Sequence, residues 1–455
     1  MALIAHYQFN ENVKDSIRLN HGSVISSDGY VKGKVGSAIR LTKPEDQIHI
    51  PHDPVISSKI FGNSYNFSIT GWVKIRSYAN YGVIVAKATS GSWSNSTAGV
   101  WTANGNGLRF VIGTNVNGNP EDSSRFVIIN SSTLPEDFFH FAAILRGTTM
   151  EFWINGELRG VNETGIETLA IERTENTNPI TIGTRHLGRN DNSDFDLSGL
   201  RFYDHPLSER EIEEENELKV LHYKFNTYQD THITDSSTYL NNGENFGGEI
   251  VEDSKVGVSS IKFDGNMDYI NIPYNPNLDL TESITVSVWQ KSLSPTWSSF
   301  WSNISKYNQF ILGRNSSSDE IAFLIHDGAG WRPNNYNNIS WDGNIQTELD
   351  IMKWNHYVGV YDNNTKKIRL YINAKLAVEY DAEGPPASDT NPIHVAHRQT
   401  DPIGTRHLDV ITNDLRIYAS ALSAKKIDRI YKQRFNLDKI GDFLSAEIIE
   451  HDGQE

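Results

Sequence analysis

The chain has 455 residues and a formal net charge of -16, with 41 Lys and Arg set against 57 Asp and Glu, and it contains no cysteine. The missing thiols exclude disulfides, thiolate metal sites and a cysteine nucleophile. The acidic balance lacks the basic stripe that releases counterions from phosphates, which speaks against nucleic acid and anionic membranes as partners.

In chain order, the N-terminus Met1-Ala2-Leu3-Ile4-Ala5-His6 has neither the charged n-region nor the apolar h-region of a signal peptide. No stretch approaches the roughly 18 apolar residues of a membrane-spanning helix. A chain made in a cytoplasm, with no membrane insertion, is expected. The first strand ends in His6-Tyr7-Gln8-Phe9-Asn10, and that run returns as His222-Tyr223-Lys224-Phe225-Asn226.

Further landmarks follow in the same order in both halves. Asp15-Ser16 with Leu19-Asn20-His21-Gly22 answers to Asp235-Ser236 with Leu240-Asn241-Asn242-Gly243, and Ile48-His49-Ile50-Pro51 answers to Ile270-Asn271-Ile272-Pro273. Phe67-Ser68-Ile69-Thr70-Gly71-Trp72 matches Ile284-Thr285-Val286-Ser287-Val288-Trp289 in pattern, and Phe152-Trp153-Ile154-Asn155-Gly156 matches Leu370-Tyr371-Ile372-Asn373-Ala374. Each copy closes alike, Leu200-Arg201-Phe202-Tyr203 then Leu207-Ser208, against Leu415-Arg416-Ile417-Tyr418 then Leu422-Ser423. An offset near 215 to 222 residues throughout means two whole domains, not solenoid repeats of roughly 20–50 residues. The domains are read as residues 1–217 and 218–434.

Between landmarks, period-two alternation dominates: Ile368, Leu370 and Ile372 fall on one face with Arg369 and Tyr371 on the other. Asn-Gly dipeptides at 104, 106, 117, 155 and 242 supply hairpin turns. After Leu207 comes a helix signal, with Ser208 as cap, Glu211 completing a capping box, and Leu207 with Ile212 as a hydrophobic staple. The second copy keeps Ser423 and the Leu422 to Ile427 staple but has Lys426 in place of the glutamate. Residues 435–455, with Leu437, Ile440, Leu444 and Ile448 at helical spacing, read as a C-terminal tail with helical character.

The opening His-Tyr-x-Phe-Asn strand, Gly257-Val258-Ser259-Ser260-Ile261-Lys262-Phe263-Asp264-Gly265, Tyr269-Ile270-Asn271-Ile272-Pro273, Trp289, Trp354-Asn355-His356-Tyr357 and the closing Leu415-Arg416-Ile417-Tyr418 segment resemble a laminin-G-like domain of the concanavalin A-like lectin/glucanase superfamily. The first copy is looser, with Phe138-Phe139 where the second has Trp354 and Gln47 where it has Tyr269. The resemblance implies an all-β chain of two tandem antiparallel β-sandwiches (jelly rolls), each closed by a short helix, with a concave face and rim loops that bind glycans or proteins in many relatives. Trp72, Trp289, Phe9 and Phe225 sit inside apolar alternation and are expected to be buried.

The superfamily also contains glycosidases, which need two carboxylates about 5–9.5 Å apart. A Glu-x-Asp-x-Glu run inside an apolar strand is absent, and the nearest pairs, Glu348 with Asp350 and Asp194 with Asp196, read as solvated loop carboxylates. No other catalytic fingerprint appears, so no enzymatic activity is expected. Ile182-Gly183-Thr184-Arg185-His186-Leu187 recurs as Ile403-Gly404-Thr405-Arg406-His407-Leu408, for which turn chemistry or shared ancestry suffices.

No cofactor is required. In relatives with a structural calcium an early Asp turn approaches an acidic residue before the last strand, so the resemblance offers Asp235 and Asp414 as metal ligands; Asp235 also reads as a turn cap. Binding is where the copies differ most. The second has an insertion rich in aromatic and amide side chains, and Trp297, Trp301, Trp331, Arg332, Asn335, Tyr336 and Trp341 are the candidate ligand-binding residues, rings for sugar C–H faces and polar groups for hydroxyls.

The expected function is therefore recognition of a surface, with a host-surface glycan or virion subunits as partners and a homo-oligomer allowed. An extracellular-type fold on a cysteine-free chain points to a phage virion component: a tail fibre, receptor-binding or capsid decoration protein. The alternative is a purely structural virion protein that binds no sugar.

Overall fold

Period-two alternation turns directly into sheet. A computed structural model of the chain describes residues 2–62, 64–79, 82–88, 96–102, 107–113, 124–162, 177–184, 193–226, 231–294, 303–314, 321–332, 349–398 and 407–433. The chain divides into two compact units, residues 1–216 and 217–455; the tail 435–455 lies outside the described residues.

Unit 1 contains β1 (Leu3–Tyr7), β2 (Ser23–Ser26), β3 (Tyr30–Lys32), β4 (Ser37–Leu41), β5 (Gln47–Ile50), β6 (Asn66–Ser77), β7 (Val83–Ala88), β8 (Ser96–Thr102), β9 (Gly107–Gly113), β10 (Ser124–Asn130), β11 (Phe139–Arg146), β12 (Thr149–Ile154), β13 (Glu157–Asn162), β14 (Ile180–Ile182) and β15 (Asp194–Tyr203). Among the described residues one sheet has the order β13-β12-β11-β6-β15-β4-β3, with β1 also on β15, and the other β10-β9-β8-β7-β14-β5-β2. Phe9, Ile48, Ile50, Phe67, Phe110, Phe141, Phe152 and Phe195 fill a single apolar core.

Unit 2 repeats the plan with β16 (Lys219–Tyr223), β17 (His232–Ile233), β18 (Gly243–Phe246), β19 (Glu249–Val251), β20 (Ser260–Asp264), β21 (Tyr269–Ile272), β22 (Ile284–Ser292), β23 (Ile304–Lys306), β24 (Phe310–Arg314), β25 (Ile321–His326), β26 (Trp331–Arg332), β27 (Asn355–Asp362), β28 (Lys367–Ile372), β29 (Lys375–Asp381), β30 (Ile393–Val395) and β31 (Asp409–Tyr418). Its sheets run β19-β20-β31-β22-β27-β28-β29, with β16 on β31, and β17-β18-β21-β30-β23-β24-β25-β26.

Local signals explain the joints. Asn155 and Gly156 both take positive φ, 49° and 81°, as a tight two-residue hairpin requires, and the Asn155 side chain accepts the His140 N–H at 2.8 Å. Unit 2 makes the same turn with Asn373 and Ala374, at 49° and 65°, so an alanine occupies a conformation that favours glycine.

Ser208 and Glu211 cap helix Glu209–Asn216 reciprocally, the Ser208 N–H on Glu211 Oε2 (2.8 Å) and the Glu211 N–H on Ser208 Oγ (3.3 Å). Ser423 caps helix Ala424–Lys432 through the Lys426 N–H alone. Leu207 with Ile212, and Leu422 with Ile427, are buried together in their respective clusters. Phe9, Phe225, Trp72 and Trp289 are all buried. The tryptophans, however, pack on imidazoles: Trp72 on His140 at 5.3 Å, and Trp289 between His356 at 4.9 Å and Tyr431 at 5.3 Å.

Candidate functional site

Cross-strand register aligns one row of side chains across the outer face of the β17-to-β26 sheet. His232 stands opposite Glu244, Glu244 opposite Asn271, Asn271 opposite His394, and His394 opposite Ser305; Ser305 faces Ile311, and Ile311 faces Leu324. Partners in register project to the same side. The alternate positions Ile270, Ile272, Ile393 and Val395 are buried, while Tyr269, Asn271 and His394 are half-buried. The row is thus polar at one end and apolar at the other, where Trp331 packs on Ile311, Ala322 and Leu324.

At the polar end lies an aromatic platform. Phe246 and Tyr269 stack with centroids 4.6 Å apart and planes within 6°, and Phe246 is 43% exposed. Beside them the Asn271 amide donates to Glu244 Oε2 at 2.9 Å. Three imidazoles support Tyr269: His394 at 5.3 Å, His397 at 5.4 Å and His407 at 6.0 Å. Their arrangement is set by hydrogen bonds. His407 Nδ1–H donates to the Asp268 carbonyl at 3.1 Å, and His394 Nδ1 meets His397 Nδ1 at 3.3 Å, where one ring must donate and the other accept. Burial, and then the neighbouring His397 and His407, push the His394 imidazole down to about 4, so it is neutral at pH 7.

In unit 1 the same row reads Ser23, His49, Thr181, Ala86, Gly99, Val111 and Phe126. Where unit 2 has Tyr269, Asn271 and His394, unit 1 has Gln47, His49 and Thr181. Its Trp101 is fully buried against Val83, Ala86 and Val111, and a Cβ at Gly99 would come within 2.4 Å of the Trp101 ring nitrogen. The indole closes over the middle of that face; in unit 2 the matching positions Ser305, Ile311 and Leu324 are buried as well, and the exposed part of the row is its polar end, at Glu244 and Phe246. Between the sheets of unit 2, a cavity of about 20 Å³ beside Gln290, Asn303 and Tyr357 has room for roughly one water, so it is no ligand pocket.

Of the candidate ligand-binding residues, Trp297, Trp301, Asn335, Tyr336 and Trp341 lie outside the described residues. Trp331 does stand on the outer face, its ring edge-on to His326 at 5.2 Å. Arg332 is not brought there: it follows Trp331 on the opposite side of the strand and pairs with Asp327 at 2.7 Å and Glu383 at 2.9 Å. Phe246, Asn271, Glu244 and His394 were missed because they come from segments that look ordinary singly. The signal that could have found them is the difference between copies at outward-facing strand positions.

The two candidate metal ligands are matched with donors from the protein. Asp235 accepts the N–H groups of His222, Ser237 and Asn241, each at 2.8 Å, and the Ser237 hydroxyl at 2.6 Å. Asp414 sits at φ 50° in a bulge of β31. Arg416 grips it with Nε at 3.0 Å from Oδ1 and Nη2 at 2.8 Å from Oδ2, and His222 Nε2 meets Oδ1 at 2.7 Å. Burial raises the Asp414 carboxyl, but the guanidinium outweighs it and holds the group well below the carboxylate range. A guanidinium therefore occupies the place of a cation, and the pair does not fit calcium. Among the described residues no group of three or more His, Asp or Glu side chains gathers as a metal cradle.

Unit 1 solves the same burial problem differently. The bulge residue is Gly199, φ 59°, and Arg201 instead pairs with Glu215 of the closing helix at 2.7 Å. Tyr203 donates to Glu215 at 2.5 Å and Thr70 at 3.2 Å. Burial raises the Glu215 carboxyl, but Arg201 and His140 outweigh it and the net shift is downward.

Asp194 and Asp196, expected in a loop, instead belong to β15. Asp196 is buried and holds Arg40 at 2.8 Å and Arg76 at 2.7 Å, while Asp194 holds Arg76 at 2.5 Å. Burial opposes the charge of Asp196, yet the two guanidiniums keep it below the usual carboxylate range. Glu348 lies outside the described residues, and Asp350 caps a turn through the Met352 N–H at 3.1 Å. The start of the first of the two identical hexapeptides has another counterpart in unit 2. Ile182 pairs with Ile48 at the end of β14, a place held in unit 2 by Val395, which pairs with Ile270.

A family model described as the Concanavalin A-like lectin/glucanases superfamily, of laminin G type, matches residues 45–213 and again 264–428. No curated protein sequence matches the chain. Similar solved structures include domain 4 of an extracellular arabinanase from Geobacillus stearothermophilus in complex with arabinotriose (18% identity, 47% of this chain and 97% of that one, TM-score 0.31). Others are the botulinum neurotoxin serotype D ligand binding domain in complex with N-acetylneuraminic acid (13%, 93% and 96%, 0.37) and the binding domain of Paraclostridial Mosquitocidal Protein 1 (10%, 90% and 96%, 0.36). Likeness at this level does not transfer a ligand.

Proposed function

The chain belongs to the concanavalin A-like lectin/glucanase superfamily, and from that premise we propose that it is a non-enzymatic saccharide-binding protein whose second unit does the binding. The observation that carries this is the exposed polar end of the row on unit 2. A stacked Phe246–Tyr269 pair offers ring surface to a sugar's C–H face, and the Glu244–Asn271 pair and His394 offer hydrogen bonds within the same few ångströms. Unit 1, with Trp101 laid across its row, acts as scaffold.

Binding without hydrolysis fits the state of the carboxylates. A glycosidase acid needs a raised pKa, whereas Asp196, on the strand where two carboxylates alternate, is held low by Arg40 and Arg76. The setting belongs to the same proposal: a phage particle that carries the chain as a tail fibre, receptor-binding or capsid decoration protein, consistent with an extracellular-type fold that uses no disulfide.

The test is a glycan array followed by titration calorimetry on the full chain and on Phe246→Ala and Trp331→Ala. Losing one stacking ring costs about 1 kcal/mol, roughly fivefold in affinity. Unchanged binding by both variants would remove this face as the site. No binding to any glycan, together with stable assembly onto a virion subunit, would replace the proposal with a purely structural role.

A further inference from the structure

We infer that the aromatic platform of unit 2 selects neutral, hydroxyl-rich saccharides and turns away acidic ones. This rests on the saccharide-binding reading above and goes further by naming the class of ligand.

The polar groups around the platform are weighted toward acceptors. Glu244 presents an exposed carboxylate whose one described donor is the Asn271 amide, which leaves the remaining lone pairs of Glu244 and the Asn271 carbonyl facing outward. A second carboxylate lies at the turn before β21, where Asp268 Oδ2 accepts the Asp264 N–H at 3.0 Å. Asp268 precedes Tyr269, and its Oδ1 lies where a Cβ on Gly247, the residue after Phe246, would meet it at 1.9 Å. Gly247 is thus bare because that carboxylate is there, and its φ of 82° suits only glycine. Glu244 is close enough to raise the Tyr269 phenol, after burial.

No lysine or arginine offsets these charges on the row among the described residues. Lys306, on the neighbouring strand β23, turns its ammonium to the buried side, where it donates to the Leu278 carbonyl at 2.8 Å. His394 adds no cation at neutral pH, because burial and its two imidazole neighbours oppose its protonation.

A neutral sugar supplies what such a rim lacks, since its hydroxyls donate to carboxylate and amide oxygens at no charge cost. A uronate or sialate brings its own carboxylate beside that of Glu244. At about 6 Å in a water-like dielectric the like charge of Glu244 disfavours the acidic ligand about threefold at low salt, and by less as salt screens it.

The experiment titrates the full chain at pH 7.5 and low ionic strength with matched oligosaccharides: N-acetyllactosamine with and without terminal N-acetylneuraminic acid, and xylo-oligosaccharides with and without glucuronic acid groups. In whichever pair binds, the neutral member is expected to bind about threefold tighter. Glu244→Gln, which keeps the shape and removes the charge, is expected to bring the two affinities together, as is 0.5 M NaCl. Equal or tighter binding of the acidic member overturns this inference and leaves the saccharide-binding reading intact. Binding of none of these oligosaccharides and of no glycan on the array overturns both.

Discussion

The two units bury the same arginine against carboxylates from different places, and this predicts a transplant. Replacing Glu215 by Ile, the residue buried at the matching helix position as Ile430, removes the carboxylate that Arg201, Tyr203 and Thr70 all share. Breaking a buried pair by deleting one partner costs about 3–5 kcal/mol, which in a domain of this size lowers the melting temperature by about 10 °C. Gly199→Asp should then restore much of the loss. Position 199 has φ 59° where Asp414 has 50°, a conformation Asp tolerates. A Cβ there would meet Trp72 Cδ1 at 3.9 Å and Arg201 Nη1 at 4.0 Å, which is ordinary contact.

The assay is a double-mutant cycle of E215I and G199D in urea and thermal unfolding of the full chain. G199D alone is expected to destabilise by about 1 kcal/mol, because a glycine gives up a favourable left-handed conformation and two carboxylates then share one guanidinium. The pair should show about 2 kcal/mol of favourable coupling. Additive losses, with no coupling, would refute the view that the two carboxylates do the same job.

Acid should destabilise both units. His140 is held down to about 4 and His222 and His356 to about 3, each first by burial. Their stabilisation is full above the unfolded pKa of about 6.5 and is lost as pH falls toward the folded values. At pH 5 each costs about 1–2 kcal/mol, so the melting temperature should fall clearly between pH 7 and 5; a flat profile would contradict this. Ala374→Gly should stabilise unit 2 by about 1 kcal/mol by relieving a left-handed alanine, read as a higher urea midpoint at unchanged slope. EDTA should leave thermal melting unchanged, since Arg416 already neutralises Asp414; a drop of several degrees would put a cation back at Asp235 and Asp414.

Much of the fold was legible because its signals are local. The Ser208–Glu211 capping box, the Asn155-Gly156 hairpin and the alternation of Ile368, Leu370 and Ile372 need only neighbouring residues, and each formed as read. The site was far less legible. The aromatic insertion drew attention to residues 297 to 341 by composition, and of its members among the described residues Trp331 stands on the outer face and Arg332 does not. Phe246, Tyr269 and His394 are separated by 23 and 125 residues in sequence, and no window short enough to read by pattern contains them together. Asp194 and Asp196 were misassigned for a related reason: two charged residues read as loop, yet Arg40 from β4 and Arg76 from β6 neutralise Asp196 inside a sheet.

The amino-acid sequence by itself determined that there are two β-sandwich units, where their strands and closing helices begin, and that thiol chemistry is absent, because duplication, period-two alternation and turn residues act over a few positions. Tertiary structure decided which unit presents a stacked aromatic pair, which side chains meet beside it, and which carboxylate answers each buried arginine. Those depend on strand register and on what crosses from a neighbouring strand or helix, and a long-range pairing is not written in either of the segments it joins.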